Sequence, residues 1–233
     1  MGCRFCASTL GGLVRNLRPN EILGQIIAAQ RDCGGRIDSI VLMGIGEPLD
    51  NYDNVLKFLR LVSSPDGLNI SQRNISVSTC GLVPNIDRLA KENLGITLSL
   101  SLHAPTDELR KKLMPVSKAY TVKETVDAMR RYVASTGRRV VFEYALIDNF
   151  NDTFDCADKL VSLVHSLQCH VNLIPLNRVS ETGLNGSTLA RVQAFLSRLE
   201  KSGVSATVRR EMGADISGAC GQLRRSFLNK EDL

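Results

Sequence analysis

Between residues 39 and 208 short apolar runs alternate with segments whose apolar residues recur at helical spacing. The runs Ser39–Met43, Asn74–Thr79, Gly95–Leu102, Arg139–Ile147, Val171–Ile174 and Val204–Val208 are expected strands. Ser39–Met43 is continuously apolar, the pattern of a strand buried on both faces. Six strands separated by helices imply right-handed βαβ crossovers and a parallel sheet, hence an α/β fold. Periodicity leaves a six-stranded open barrel and a doubly wound sheet both open. In either, ligands gather at the carboxyl ends of the strands.

The helices carry their own punctuation. Pro19-Asn-Glu21 opens one with Ile22, Ile26 and Ala29 on one face, closed by Gly34-Gly35. Val55, Phe58, Leu59 and Val62 fall at i, i+3, i+4 and i+7 of the next. Further helices are expected over Pro84–Glu92 and over Thr106–Leu113, stopped by Pro115. Thr121-x-x-Glu124 forms a capping box for a helix ended by Gly137. Asn151-Asp152 is expected to cap the helix of Ala157, Leu160, Val161 and Val164, and Ser187–Lys201 to form the last.

Polar and glycine residues collect at the expected strand ends: Gly46-Glu47, Ser78, Ser101-Leu102-His103 and Asn177. Gly44-Ile-Gly46-Glu47-Pro48 reads as a turn, or as a place where backbone approaches a ligand and Glu47 takes an amine. His103 alone reads as structural, and His165 and His170 carry no role. Cys33, Cys80, Cys156 and Cys169 read as small buried hydrophobes. Cys220, in Gly218-Ala-Cys-Gly221, is a candidate reactive thiol.

The chain opens on Gly2-Cys-Arg-Phe-Cys6. A Cys-x-x-Cys pair serves zinc, thiol exchange or an iron–sulfur cluster. Zinc wants a second pair at similar spacing, and none follows. A thioredoxin-type pair belongs between a strand and a helix. The cluster reading needs one more cysteine four residues before Cys3, so the chain is expected to be the catalytic core of a longer protein, begun inside its metal motif.

Seven scattered cysteines suggest a reducing cytosol, and the absence of an apolar run of about 20 residues argues against a membrane span. A net charge of +5 permits a nucleic-acid partner.

Seven motifs in order resemble the RlmN/Cfr family of radical S-adenosylmethionine (SAM) RNA methyltransferases. They are Gly2-Cys-Arg-Phe-Cys-Ala7, Arg15-Asn-Leu17, Met43-Gly-Ile-Gly-Glu-Pro-Leu49, Ser78-Thr-Cys-Gly81, Ser101-Leu-His-Ala-Pro105, Asn172-Leu-Ile-Pro-Leu-Asn177 and Ala219-Cys-Gly-Gln-Leu223. The resemblance runs from Met1 to about Phe227. It implies a partial (β/α)6 barrel over residues 1–212, followed by a segment, 213–233, with a methyl-carrying Cys220. Cys3 and Cys6 would be two of three thiolates on a [4Fe–4S] cluster. Gly46 and Glu47 would hold the amino end of SAM, with Ser78, Ser101, Leu102, His103 and Asn177 lining the rest of its site. The implied reaction methylates C2 of an adenine in 23S rRNA, and in many bacteria in tRNA. One SAM methylates Cys220, and a radical derived from a second activates that methyl group. A cytoplasmic monomer with a flavodoxin-type reductant is implied as well.

The chain departs from that pattern in three ways: it lacks the first cluster cysteine, the second catalytic cysteine that forms a disulfide with Cys220, and the N-terminal RNA-binding region with its glutamate. Two alternatives follow, a C8-adenine methyltransferase of the Cfr type and a non-catalytic SAM- or RNA-binding remnant.

Overall fold

A computed structural model of the chain describes residues 1–9, 12–176 and 183–209. Six strands form one parallel sheet in the order β1-β2-β3-β4-β5-β6. They are β1 (Ile40–Leu42), β2 (Ile75–Thr79), β3 (Thr97–Ser101), β4 (Val140–Leu146), β5 (Cys169–Pro175) and β6 (Ala206–Val208). The helices are α1 (Pro19–Cys33), α2 (Tyr52–Ser63), α3 (Val83–Ala90), α4 (Asp107–Leu113), α5 (Val122–Thr136), α6 (Phe154–Val164) and α7 (Leu189–Lys201). Spatial order equal to chain order, with every neighbouring pair parallel, is the partial (β/α)6 barrel rather than a doubly wound sheet, whose strand order reverses.

The two faces of the sheet differ in chemistry. Ile75, Val77, Leu98, Leu100, Val140, Phe142, Tyr144, Val171 and Leu173 share one buried cluster with Phe58, Val62, Ile86, Met129, Leu160 and Phe195 of the helices. Each large apolar side chain buried there contributes about 1.5–3 kcal/mol. Residues of the other parity face away from the helices. The register sets Ser78 beside Ser99, Val141 and then His170 in one row. Ser101, Glu143, Asn172 and Thr207 form the next row toward the carboxyl ends. This inner face is polar and internally bonded: Asn172 Nδ2 donates to Glu143 Oε2 at 2.8 Å, and Ser78 Oγ lies 3.5 Å from Ser101 Oγ.

Three expectations change. β1 is not buried on both faces, since Val41 is 64% exposed. Ile40 and Leu42 pack toward the helices, while Val41 looks onto the open inner side. Thr153, not Asn151 or Asp152, caps α6, accepting the Cys156 amide. Asp152 instead accepts from Ser187 and pairs with Arg191. Cys33 and Ala29 are exposed at the end of α1, where only Ile26 is fully buried. The remaining caps follow the sequence: Thr121 and Glu124 bond reciprocally, and Gly34 and Gly137 take left-handed φ of 63° and 64°.

Candidate active site

Because all six strands run the same way, the loops after β1 to β4 emerge at one end of the sheet. Across that end lies the opening segment of the chain. The Arg4 amide donates to Leu113 O at 2.9 Å, and the Phe5 ring stands edge-on to His103 with centroids 4.7 Å apart. Cys3 is buried with Cys80, Leu113, Met114 and Ile147, and Cys6 is half-buried at the edge of the same cluster. A turn holds the two thiols on one loop: the Cys6 amide donates to Cys3 O, and Thr9 Oγ1 donates to both Cys3 O and Cys6 O. Both cysteines are free. Two soft sulfur donors on one turn fit part of the ligand set of an iron–sulfur cluster. Burial, with Cys6 adding to it, pushes the Cys3 thiol up to about 11, so ligation there must displace a proton. Among the described residues no group of three or more His, Cys, Asp or Glu side chains is placed to hold a metal ion.

The loop after β1 carries Gly46, whose φ of +94° favours glycine, and then Glu47. Each carboxylate oxygen of Glu47 accepts one backbone amide: Oε1 from Leu49 at 3.0 Å and Oε2 from Cys80 at 2.7 Å. Glu47 thus caps its own turn and ties the end of β1 to the end of β2. Ser78 and Ser101 come together across β2 and β3 on the inner face.

Leu102 and His103 are buried at the end of β3, where both their amides donate to Glu143 O. His103 takes a left-handed φ of 56°. Its Nδ1 accepts the Ala145 amide at 3.0 Å, so the neutral ring carries its proton on Nε2. Burial first, and Arg110 second, lower its pKa to about 3. Asn151 fixes this turn from beneath: Nδ2 donates to His103 O and Ala145 O, both at 2.7 Å, and Oδ1 accepts from the Ile147 amide.

The structure therefore brings Cys3, Cys6, Gly46, Glu47, Ser78, Ser101, Leu102 and His103 to one end of the sheet. Asn177 and Cys220 lie outside the described residues. Of the basic residues the sequence offers for RNA phosphates, Arg224 and Arg225 lie outside the described residues too, Lys111, Lys112 and Arg139 are exposed, Lys112 in an ion pair with Glu108, and Arg138 is half-buried. An open groove of about 670 Å³, lined by Ile27, Arg31, Arg36 and Leu68 among others, lies at the opposite end, where α1 runs toward the start of β1.

Sequence reading missed Arg110 and the Glu143–Asn172 pair. Arg110 sits in Arg110-Lys-Lys112, and nothing in that basic run itself marks one member as buried. Its place three residues before the buried Leu113 was the available signal.

Comparison with known proteins agrees with this fold. A model of the radical SAM superfamily matches residues 1–157. A protein of Lachnospira eligens named "Probable dual-specificity RNA methyltransferase RlmN" is 52% identical over 232 residues, covering the whole of this chain and 66% of its own length. The crystal structure of a radical SAM methyltransferase from Sphaerobacter thermophilus superposes with a TM-score of 0.91 at 46% identity, over 95% of this chain and 66% of that one. Streptococcus suis SuiB bound to S-adenosylmethionine shares the fold, with a TM-score of 0.65 at 17% identity over 89% of this chain and 47% of its own. The chain belongs to the radical SAM superfamily and, within it, to the RlmN family of RNA methyltransferases. A [4Fe–4S] cluster and SAM are the cofactors of that superfamily. The chain spans about two thirds of the length of these RlmN relatives.

Proposed function

We propose that this chain is the catalytic core of an enzyme that methylates C2 of an adenine in RNA, 23S rRNA and tRNA, through a methyl group carried on Cys220. The observation that supports the reading most strongly is the seating of the Cys3–Cys6 turn across the strand ends that carry Glu47, Ser78, Ser101 and His103. When bound, the cluster and SAM would supply a one-electron route to radical chemistry, which a carbon as unreactive toward methyl donors as adenine C2 requires.

The chain's own groups divide that work. Cys3 and Cys6 would hold the cluster. Glu47, with one backbone amide on each carboxylate oxygen, keeps lone pairs for the amino group of SAM. Ser78 and Ser101 offer hydroxyls on the inner face, and neutral His103 offers an Nε2 proton rather than a charge. The thiolate of Cys220 is the nucleophile that takes the first methyl group. RNA would reach the site past exposed cations such as Lys111, on α4 just after β3, with a flavodoxin-type protein as electron donor.

The test is mass spectrometry of protein and RNA from cells expressing the chain as part of its complete gene product. One added methyl on the peptide holding Cys220, together with 2-methyladenosine in the RNA, is expected. Cys220→Ala should abolish both. An unmethylated peptide with continued turnover would refute the carrier role, and 8-methyladenosine would assign the Cfr-type reaction instead.

A further inference from the structure

The most heavily buried cation in the described residues has no acidic partner. Arg110 is 0% exposed. Its guanidinium donates to four neutral acceptors: Nε to Leu102 O at 3.1 Å, Nη1 to Ser117 Oγ at 3.2 Å, and Nη2 to Cys80 O at 2.7 Å and Ser101 O at 3.0 Å. No described carboxylate forms an ion pair with it. The carboxylate of Asp107, on the same helix, accepts the Val122 amide and acts on Arg110 only through space, without an ion pair. A buried charge with no countercharge costs several kcal/mol, and natural folds supply one.

Three further observations say where the countercharge belongs. Three of its four acceptors are carbonyls at the ends of β2 and β3, so the cation is pinned behind the strand ends that carry Ser78, Ser101 and His103. Cys80, whose carbonyl it holds, belongs to the same buried cluster as Cys3. The close approach is also built into the backbone. Gly81 has a φ of +103°, and a Cβ there would meet Thr125 Cγ2 at 2.8 Å and Arg110 Nη2 at 3.4 Å.

We propose that Arg110 is a positioning and electrostatic residue of this site: it clamps the ends of β2 and β3 and supplies the fixed positive charge that offsets the thiolate-bound cluster at Cys3. The proposal rests on the reading that Cys3 and Cys6 hold that cluster. When one electron enters from an outside reductant, no bond forms or breaks and the site becomes more negative by one charge. A fixed buried cation favours that reduced state.

The experiment is an anaerobic redox titration with dithionite, followed by electron paramagnetic resonance, on the complete gene product loaded with iron and sulfide. Unaltered protein is compared with Arg110→Met, which removes the charge, and Arg110→Lys, which keeps it. Ser117→Asp is the third comparison; it sets a carboxylate against Nη1 and leaves the fork in place. At a fixed potential the reduced-to-oxidised ratio should fall about tenfold in Arg110→Met and in Ser117→Asp, about 59 mV for a one-electron couple, and stay near the unaltered value in Arg110→Lys. An unchanged ratio in either neutralised variant at matched iron content overturns the proposal, as does failure of both to fold, which would make the guanidinium purely structural. If the unaltered protein binds no cluster, the reading of Cys3 and Cys6 fails and the proposal with it; a cluster indifferent to Arg110 overturns the proposal alone.

Discussion

The carboxylate of Glu47 accepts the amide of Cys80 at 2.7 Å, joining two strand ends whose residues lie 33 apart in the chain. A residue expected either to sit in a plain turn or to take an amine is thus also a splint within the site. Both functions should fail together. Glu47→Ala leaves the Cys80 and Leu49 amides without a charged acceptor, at a cost of about 1–3 kcal/mol by denaturant unfolding. SAM affinity measured by calorimetry should fall at least about tenfold. Glu47→Gln keeps an amide oxygen for one donor and should recover much of the stability without recovering the affinity. Wild-type affinity in Glu47→Gln would remove the carboxylate from the SAM site.

His103 makes stability depend on pH. Its folded pKa, about 3, lies below its ordinary value near 6.5 because burial disfavours the charged ring. The unfolded chain therefore binds the extra proton between those values. The stabilising contribution is complete above about pH 6.5 and is lost progressively as pH falls toward 3. Between pH 7 and 5 the loss attributable to this group is about 2 kcal/mol. Urea unfolding of wild type and His103→Gln at both pH values should show a smaller pH effect in the variant. Equal slopes would mean that another group controls the acid limb.

Asn151 holds the β3 and β4 ends in register through three bonds of its side chain and accepts the Tyr144 hydroxyl at its own carbonyl, 2.8 Å away. Asn151→Asp replaces a donor to two carbonyls with an acceptor and should cost about 2–4 kcal/mol, more than a surface substitution of the same type. It should also release His103 from its left-handed turn, which hydrogen exchange at the Ala145 amide would report as lost protection. Unchanged exchange with lowered stability would place the effect elsewhere.

How far the sequence carried these assignments depends on what each residue does. Alternation exposed the six strands because one face of each is apolar, and caps such as Thr121 with Glu124 act locally. The polar residues at strand ends were legible because parallel topology alone puts them at one end. What escaped depends on contacts distant in the chain. Val41 is apolar, yet it faces the open inner side, because β1 is an edge strand covered by helices on one face only. Asn151 looks like a cap because it precedes a helix, while its partners, His103 and Ala145, come from the turn after β3 and from β4. Arg110 escaped because three of its four acceptors are backbone carbonyls, which carry no sequence signature. Glu143 and Asn172 pair only through the β4–β5 register.

The central claim is that the Cys3–Cys6 turn presents a cluster to SAM at the carboxyl end of this sheet. The most direct measurement is electron paramagnetic resonance of the reduced, anaerobically reconstituted chain carrying an added cysteine four residues ahead of Cys3, with and without SAM. The account predicts about four irons per chain and a spectrum that changes on adding SAM, with both lost in Cys3→Ala/Cys6→Ala. Equal iron in that double variant, or a cluster spectrum indifferent to saturating SAM, would contradict it.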